Sequence, residues 1–350
     1  MSPSDIRYVC TSILLLTRGL SLLPHVRYGV LLITAAQFNP IFITGFPRSG
    51  TTMVAAILDR HSAVAIPPET NFFEAMKSLR DIPPDSSTPQ VLERLLGAYG
   101  MNNLSLQASD VAPLLNGTDR TSSHVFRAVL TAYQHGRGKP MIGEKTPRHI
   151  MHSDQLLTWY PQSKMIFVVR DGRDAVASLL NMPWRGHGIA RLHASTWNRY
   201  MAVAYRTHRR FPGRCLFIKY EDILIDPETQ VRRLDQFCGI PFEPQQVDAS
   251  IPTHVVPKTL PPWMLLATRP IEPNHGGHWR KAFSREDQWV INYTMRPYLK
   301  LFGYQDDNMC DCPVRRRIWI GATGLLLRTG ETRRVYRAFS VNPSTPRTGA

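Results

Sequence analysis

Residues 41–52 read Ile-Phe-Ile-Thr-Gly-Phe-Pro-Arg-Ser-Gly-Thr-Thr. A short β-branched and aromatic run that ends at a glycine is typical of a buried strand, and a helical pattern starts near Thr51. Gly45 and Gly50 allow the backbone between them to curl until consecutive N–H groups point at one anion. The positive end of the following helix adds to this attraction. The stretch therefore predicts a strand, an oxyanion-binding loop and a helix.

The loop departs from the pattern of the nucleoside triphosphatases. That pattern, G-x-x-x-x-G-K-[ST], has a lysine after the second glycine, where it reaches the β- and γ-phosphates. The spacing from Gly45 to Gly50 is the same here, but Thr51 replaces the lysine. A cation stands inside the loop instead, at Arg48. This arrangement favours a nucleotide with a single 5′-phosphate over a triphosphate.

The segment 47–52, Pro-Arg-Ser-Gly-Thr-Thr, resembles the loop P-[KR]-S-G-T-T of the sulfotransferases that use 3′-phosphoadenosine 5′-phosphosulfate (PAPS). Its arginine is similar to that of the protein-tyrosine sulfotransferases and related bacterial sulfotransferases. The resemblance implies an α/β fold of the P-loop type, with a central parallel sheet flanked by helices on both faces. It also implies PAPS as co-substrate, bound through Arg48, Ser49, Gly50, Thr51 and Thr52.

Two further positions match family elements of the transfer step. Glu69 follows the loop where the tyrosine sulfotransferases carry a Glu-Thr pair, whose glutamate is the general base. Lys145 matches a lysine of the charged transfer site in those enzymes. The resemblance thus implies Glu69, Arg48 and Lys145 as catalytic residues. A solvated loop carboxylate and a surface lysine are the alternative interpretations.

A second nucleotide-binding element is expected after the strand predicted for residues 164–169. Arg170 ends that strand, and Ser178 follows two helical turns later. The pair matches the family's 3′-phosphate element residue by residue. Tyr220 resembles the tyrosine of a family Tyr-Glu-[DQ] turn near the nucleotide. Arg280, at the end of a glycine-rich segment, is a further candidate phosphate ligand.

The hydrophobic periodicity between these motifs predicts regular elements. A strand is expected at residues 215–219, and the Pro-, Ser- and Asn-rich segment 81–123 is interpreted as a variable cap or acceptor-side insertion. Helices are expected around residues 91–99, 124–135, 189–210 and 231–237. These elements alternate as an α/β domain requires.

A chain of 350 residues fits one α/β domain with extensions. We expect an N-terminal apolar or amphipathic extension over residues 1–39, a sulfotransferase domain over 40–305 and a basic extension over 306–350. The apolar runs of residues 9–36 are split by charged residues and a proline, so they do not predict a membrane-spanning helix. An interfacial helix and a helix packed on the domain both remain open.

The formal net charge of +15 indicates an anionic partner. Nucleic acid, an anionic membrane surface and the nucleotide are the candidate partners. Much of the excess lies at the chain ends, and we interpret it as solvated or membrane-facing charge. We expect no nucleic-acid partner and a cytoplasmic protein, with peripheral membrane contact through the two ends and a homodimer both left open.

Five cysteines, an odd number and mostly isolated, do not imply a disulfide framework. Cys310 and Cys312 lack the two further ligands that a zinc site requires. The loop also lacks the usual magnesium arrangement, so we expect no metal to take part.

The preferred function is the transfer of a sulfonate group from PAPS to a hydroxyl acceptor, with release of 3′,5′-ADP. The acceptor is left open among carbohydrate, lipid, small metabolite and tyrosine. One alternative is a P-loop nucleotide kinase, which should carry the lysine that Thr51 replaces. The other is a non-catalytic, membrane-associated nucleotide-binding protein. That reading is disfavoured because the candidate residues occur together.

Overall fold

A computed structural model describes residues 38–83, 86–182, 190–256, 270–272 and 276–305. The chain divides into two compact units, Met1–Thr34 and Ala35–Ala350, and the described residues all belong to the second. The expectations for the N-terminal apolar runs, the basic C-terminal extension and three of the cysteines fall outside the described residues. The division into three parts therefore stays a prediction.

The core of the fold is a five-stranded sheet in the order β2-β3-β1-β4-β5. All four strand pairings are parallel, and Ile41 of β1 stands opposite both Gly143 of β3 and Lys164 of β4. This confirms the predicted parallel sheet. The strands are β1 (Ile41–Gly45), β2 (Val64–Ala65), β3 (Met141–Lys145), β4 (Lys164–Val169) and β5 (Cys215–Lys219).

Alternate side chains of the central strands enter two separate cores. Phe42 and Phe167 belong to the larger cluster, whereas Ile41, Ile43 and Ile166 belong to the smaller one. Successive residues of a strand point to opposite faces, so both faces of this sheet are covered. The prediction of helices on both faces is confirmed.

Twelve α-helices occur among the described residues. Those before β4 are α1 (Thr51–Asp59), α2 (Phe72–Ala75), α3 (Thr88–Leu96), α4 (Ala108–Val111), α5 (Ser122–Arg137) and α6 (Ser153–Trp159). Those after β4 are α7 (Gly172–Leu180), α8 (Ala190–Arg210), α9 (Tyr220–Ile225), α10 (Pro227–Cys238), α11 (Trp279–Ala282) and α12 (Arg285–Leu301). None of the helices in the described part of the chain is long and apolar enough to cross a membrane.

The helices divide between the two faces. Buried residues of α1, α9 and α10 contribute to the smaller core, and those of α3, α5, α6, α7, α8 and α12 contribute to the larger one. Tyr220, expected in a turn, instead opens helix α9 directly after β5. Glu221 and Asp222 lie in the first turn of α9, where negative charge favours a helix start.

The strand order makes the carboxyl end of β1 the switch point of the sheet. The chain moves from β1 to β2 and β3 on one side and then crosses to β4 and β5 on the other. In open parallel sheets, the crevice at such a point lies outside the carboxyl ends of the strands and is the usual ligand site.

Candidate active site

The loop after β1 holds its backbone in a conformation suited to an anion. Arg48 and Gly50 have φ angles of 70° and 90°, and the Ser49 N–H donates to the Phe46 carbonyl over 3.1 Å. The Ser49 hydroxyl is buried and has no hydrogen-bond partner within the described ranges. An orphaned buried hydroxyl costs about 1–3 kcal/mol. A bound oxyanion would supply the missing partner.

Tyr220 packs directly against this loop. A Cβ atom at Gly50 would lie 2.3 Å from Cδ2 of the Tyr220 ring, which is closer than real contacts allow. The Arg170 guanidinium lies 4.8 Å from the centre of the same ring. The carboxyl ends of β1, β4 and β5 are thereby joined in one cluster.

Two arginines and a serine converge beside the loop. Nη1 of Arg170 donates to the Arg48 carbonyl over 3.0 Å, and Nε of Arg48 donates to Oγ of Ser178 over 3.1 Å. Burial lowers the pKa of Arg48, the Arg170 charge lowers it further, and Tyr220 and Glu69 act in the opposite direction. Two adjacent guanidinium groups favour a bound anion. The residues predicted for the 3′-phosphate thus adjoin the predicted 5′-phosphosulfate loop.

Glu69, Lys145 and Thr52 form a hydrogen-bonded chain on the other side of the loop. Nζ of Lys145 lies 2.6 Å from Oε1 of Glu69 and 3.2 Å from Oγ1 of Thr52. The Lys145 side chain is fully buried, whereas the Glu69 side chain is 26% exposed. A carboxylate with one open side can meet a second substrate, while the lysine links it to the loop.

A buried carboxylate that the sequence analysis missed lies beneath this chain. Glu144 accepts hydrogen bonds from the hydroxyls of Thr70 and Thr146 over 2.7 and 2.6 Å, and Nδ1 of His149 lies 2.9 Å from its second oxygen. Burial alone would raise the pKa of Glu144, but the charge and hydrogen bond of His149 and the two threonine hydroxyls outweigh it, so that the pKa is lowered. The sequence contained one indication of this site, because Glu144 is a charged residue inside a strand of a buried parallel sheet.

The segment before α11 is docked onto α7. The Asp174 carboxylate accepts hydrogen bonds from the backbone N–H groups of Gly277 and Trp279 over 2.6 and 2.9 Å. Asp174 lies one helical turn before Ser178, so the segment is anchored close to the predicted nucleotide residues. Arg280 is exposed, with its guanidinium 4.8 Å from the Trp279 ring. Its role in phosphate binding stays a prediction.

Every strand contributes one predicted site residue from its carboxyl end. Arg48 follows β1, Glu69 follows β2, Lys145 closes β3, Arg170 follows β4 and Tyr220 follows β5. Cations therefore surround the loop, and a carboxylate stands at its border. Such a constellation can bind an anionic donor and remove a proton from a neighbouring hydroxyl. Over the described ranges, no group of three or more His, Cys, Asp or Glu residues could hold a metal ion. The absence of a metal from the reaction stays a prediction.

Residues 40–244 match the model of the sulfotransferase family. Protein-tyrosine sulfotransferase 1 of Danio rerio is 30% identical over 211 residues, which are 58% of this chain and 53% of that protein. Protein-tyrosine sulfotransferase 2 of Gallus gallus is 28% identical over 223 residues, 62% of this chain and 54% of that protein. The matched stretch spans about half the length of these curated relatives.

A solved structure has the same fold. The sulfotransferase domain from the curacin biosynthetic pathway superposes with a TM-score of 0.56 and 18% identity, covering 77% of this chain and 98% of that domain. At that identity the likeness concerns the fold alone. The match to the family model covers more than half of the chain. The chain therefore belongs to the sulfotransferase family.

Proposed function

We propose that this protein transfers a sulfonate group from PAPS to a hydroxyl acceptor and releases 3′,5′-ADP. The observation that carries the proposal is the hydrogen-bonded series Glu69, Lys145 and Thr52, which joins a partly exposed carboxylate, a buried ammonium group and a hydroxyl in the first turn of α1. The proposed transfer needs a proton acceptor beside the bound donor, and this arrangement supports Glu69 in that role. Family membership supports the same chemistry.

The donor would lie along the carboxyl edge of the sheet. The loop amides, the orphaned Ser49 hydroxyl and the N-terminus of α1 suit its 5′-phosphosulfate. Arg170 and Ser178, joined through Arg48, suit its 3′-phosphate. PAPS carries the sulfonate on a phosphate leaving group, and these residues would provide hydrogen-bond donors and positive charge at each of its anionic groups.

In the proposed step, the acceptor oxygen forms a bond to sulfur as the bond from sulfur to the 5′-phosphate oxygen breaks. The hydroxyl proton goes to Glu69, and the electron pair of the broken bond stays on the departing phosphate. Lys145 holds Oε1 of Glu69, so we assign the proton to Oε2. Arg48 and Lys145 stabilise the negative charge that grows on the leaving oxygen.

Calorimetry and a labelled-donor assay test this proposal. We expect 3′,5′-ADP to bind without magnesium and labelled sulfonate to pass from PAPS to an acceptor. Tighter binding of magnesium-ATP would support the kinase alternative, and binding without transfer to any acceptor would support the non-catalytic one. The relatives are named protein-tyrosine sulfotransferases, so a tyrosyl peptide is the first acceptor to try, followed by carbohydrates, lipids and small metabolites.

We also propose a cytoplasmic protein that contacts membranes peripherally through its two ends. The support is the concentration of positive charge after residue 306 and the apolar runs before residue 37. Binding of the full chain to vesicles with anionic headgroups, but not to vesicles of neutral lipid, would support this contact. Sedimentation velocity would test the homodimer that the sequence leaves open.

A further inference from the structure

The Glu144 network joins the two segments that carry Glu69 and Lys145. Thr70, which donates to Glu144, directly follows Glu69, and Thr146 directly follows Lys145. Glu144 itself directly precedes Lys145 in β3. The Glu144 carboxylate is therefore hydrogen-bonded to the residue that follows each candidate catalytic residue.

Two backbone hydrogen bonds extend this connection. The Asn71 N–H donates to Oγ1 of Thr146 over 3.2 Å, and the Phe72 N–H donates to Oγ1 of Thr70 over 3.3 Å. The turn after Glu69 is thus attached to the end of β3 and to the start of α2. Both threonine hydroxyls donate to the same Glu144 oxygen, Oε1.

We infer that Glu144 is a positioning residue whose carboxylate clamps the turn at residues 69–71 onto the end of β3, holding Glu69 and Lys145 at ion-pair distance. Glu144 does not act as the base, because it is fully buried and both of its oxygens already receive hydrogen bonds. Only the kinetic part of this inference rests on the proposed function. The structural part concerns the turn alone.

The cost of a buried charge supports a positioning role over simple packing. Burying an ionised group costs free energy, and a protein with well-packed apolar residues of similar volume in its place is often equally stable. Glu144 is 0% exposed and lies on the face of β3 opposite to Lys145, as alternation along a strand requires. Its hydroxyl donors lie next to Glu69 and next to Lys145. A purely structural ion pair with His149 would not need these two hydroxyls.

The test removes a single hydroxyl from the clamp. Thr70→Val keeps the volume of the fully buried side chain but deletes the donor to Glu144 and the acceptor for the Phe72 N–H. Thr70→Ser restores the hydroxyl and serves as the rescue variant. Thr207→Val is the matched control, because Thr207 is also fully buried and its hydroxyl bonds to Ser153 and to the Asp154 carboxylate, between α8 and α6.

Amide hydrogen exchange measures how firmly the turn at residues 69–71 is held, and it does not require an active enzyme. We expect Thr70→Val to accelerate exchange at Phe72 by about tenfold or more, since the Phe72 amide loses its acceptor, and to accelerate exchange at Asn71 less, since its acceptor, Oγ1 of Thr146, remains. Thr70→Ser should return exchange to the wild-type rate, and Thr207→Val should leave this peptide unchanged. Unchanged exchange in Thr70→Val, or equal acceleration in Thr207→Val, would overturn the inference.

Steady-state kinetics measure whether the loosened turn impairs catalysis. In an active enzyme, Thr70→Val should reduce kcat by about ten- to a hundredfold, because small misplacements of catalytic groups are that costly. The dissociation constant of 3′,5′-ADP should stay within about twofold, since the donor loop lies outside the clamp. A kcat within about twofold of wild type despite fast exchange would overturn the positioning role. A wild-type protein without sulfonate transfer would refute the proposed function alone, and exchange would then decide the clamp.

Discussion

Glu69 and Lys145 form an ion pair, with Oε1 and Nζ 2.6 Å apart, although 76 positions separate them in the chain. They meet because β2 and β3 are parallel neighbours, so that their carboxyl ends lie side by side. The lysine is fully buried and the glutamate is partly exposed. A buried ammonium group that loses its partner is strongly destabilising, so variants at this pair must keep an acceptor oxygen.

Glu69→Gln is the variant that meets this condition. The amide oxygen can still accept from Lys145, but the side chain can no longer take a proton. We expect turnover of labelled PAPS to fall by about two to four powers of ten, the usual contribution of a positioned base. The affinity for 3′,5′-ADP, measured by calorimetry, should be retained. Glu228→Gln, at an exposed ion pair on α10, controls for the loss of one negative charge. Near-normal turnover would remove Glu69 from the mechanism.

Arg170→Ala tests whether Arg170 binds the 3′-phosphate and not the 5′-phosphate of the nucleotide. We expect the affinity for 3′,5′-ADP to fall at least about tenfold more than the affinity for 5′-AMP, because charge-assisted hydrogen bonds to the 3′-phosphate are lost. Some loss for 5′-AMP is also expected, since Nη1 of Arg170 holds the Arg48 carbonyl in the loop. The control is Arg232→Ala, which removes an exposed positive charge from α10. Equal losses for the two nucleotides would contradict the assignment.

The elements around the loop were predictable because their signals are local. A β-branched run, two glycines and a helical pattern follow one another within residues 41–59, and the structure has a strand, a turn and a helix there. The strands at 164–169 and 215–219 were predicted in the same way. The position of β1 in the centre of the sheet depends on pairing between distant segments, which periodicity does not encode.

The Glu144 clamp was missed for the same physical reason. It joins Thr70 and Thr146 only because β2 lies beside β3, and β2 is a two-residue strand too short to give a hydrophobic pattern. The contact between Arg48 and Ser178 involves a residue other than glycine at a positive φ. Such a conformation is uncommon and is fixed by the surrounding structure.

Gly50→Ala tests the packing between the loop and Tyr220. The added Cβ would lie 2.3 Å from the Tyr220 ring at a φ of 90°, so both a collision and backbone strain are expected. We expect the affinity for 3′,5′-ADP to fall at least about tenfold, because the loop amides must move away from the anion. Gly117→Ala is the matched control, since Gly117 has a φ of 71° and open space around its Cβ position. It should lose stability through strain, by about 1 kcal/mol, and bind the nucleotide normally. Similar binding losses in both variants would contradict a specific role for the contact with Tyr220.

Glu221 gives the protein a pH-dependent stability of predictable sign. Burial raises the pKa of this carboxyl above its ordinary value of 4.5, and hydrogen bonds from the Asp171 N–H and the Tyr304 hydroxyl only partly offset that effect. The folded state therefore holds the proton more tightly than the unfolded chain. The contribution of Glu221 to stability is fully present below pH 4.5 and is lost as the pH rises through the raised pKa.

Glu221→Gln removes this titration while keeping a hydrogen-bonding group of similar size. We expect the free energy of unfolding of the variant, relative to wild type, to increase as the pH rises from 4.5 through the raised pKa, and then to level off. Urea unfolding of both proteins at a series of pH values measures this difference. Well below pH 4.5, where the wild-type carboxyl is protonated in both states, the difference should be constant, which provides an internal control. A difference that stays the same at every pH would show that the Glu221 carboxyl titrates alike in the folded and unfolded chain, and that its burial between Asp171 and Tyr304 does not disfavour its charge.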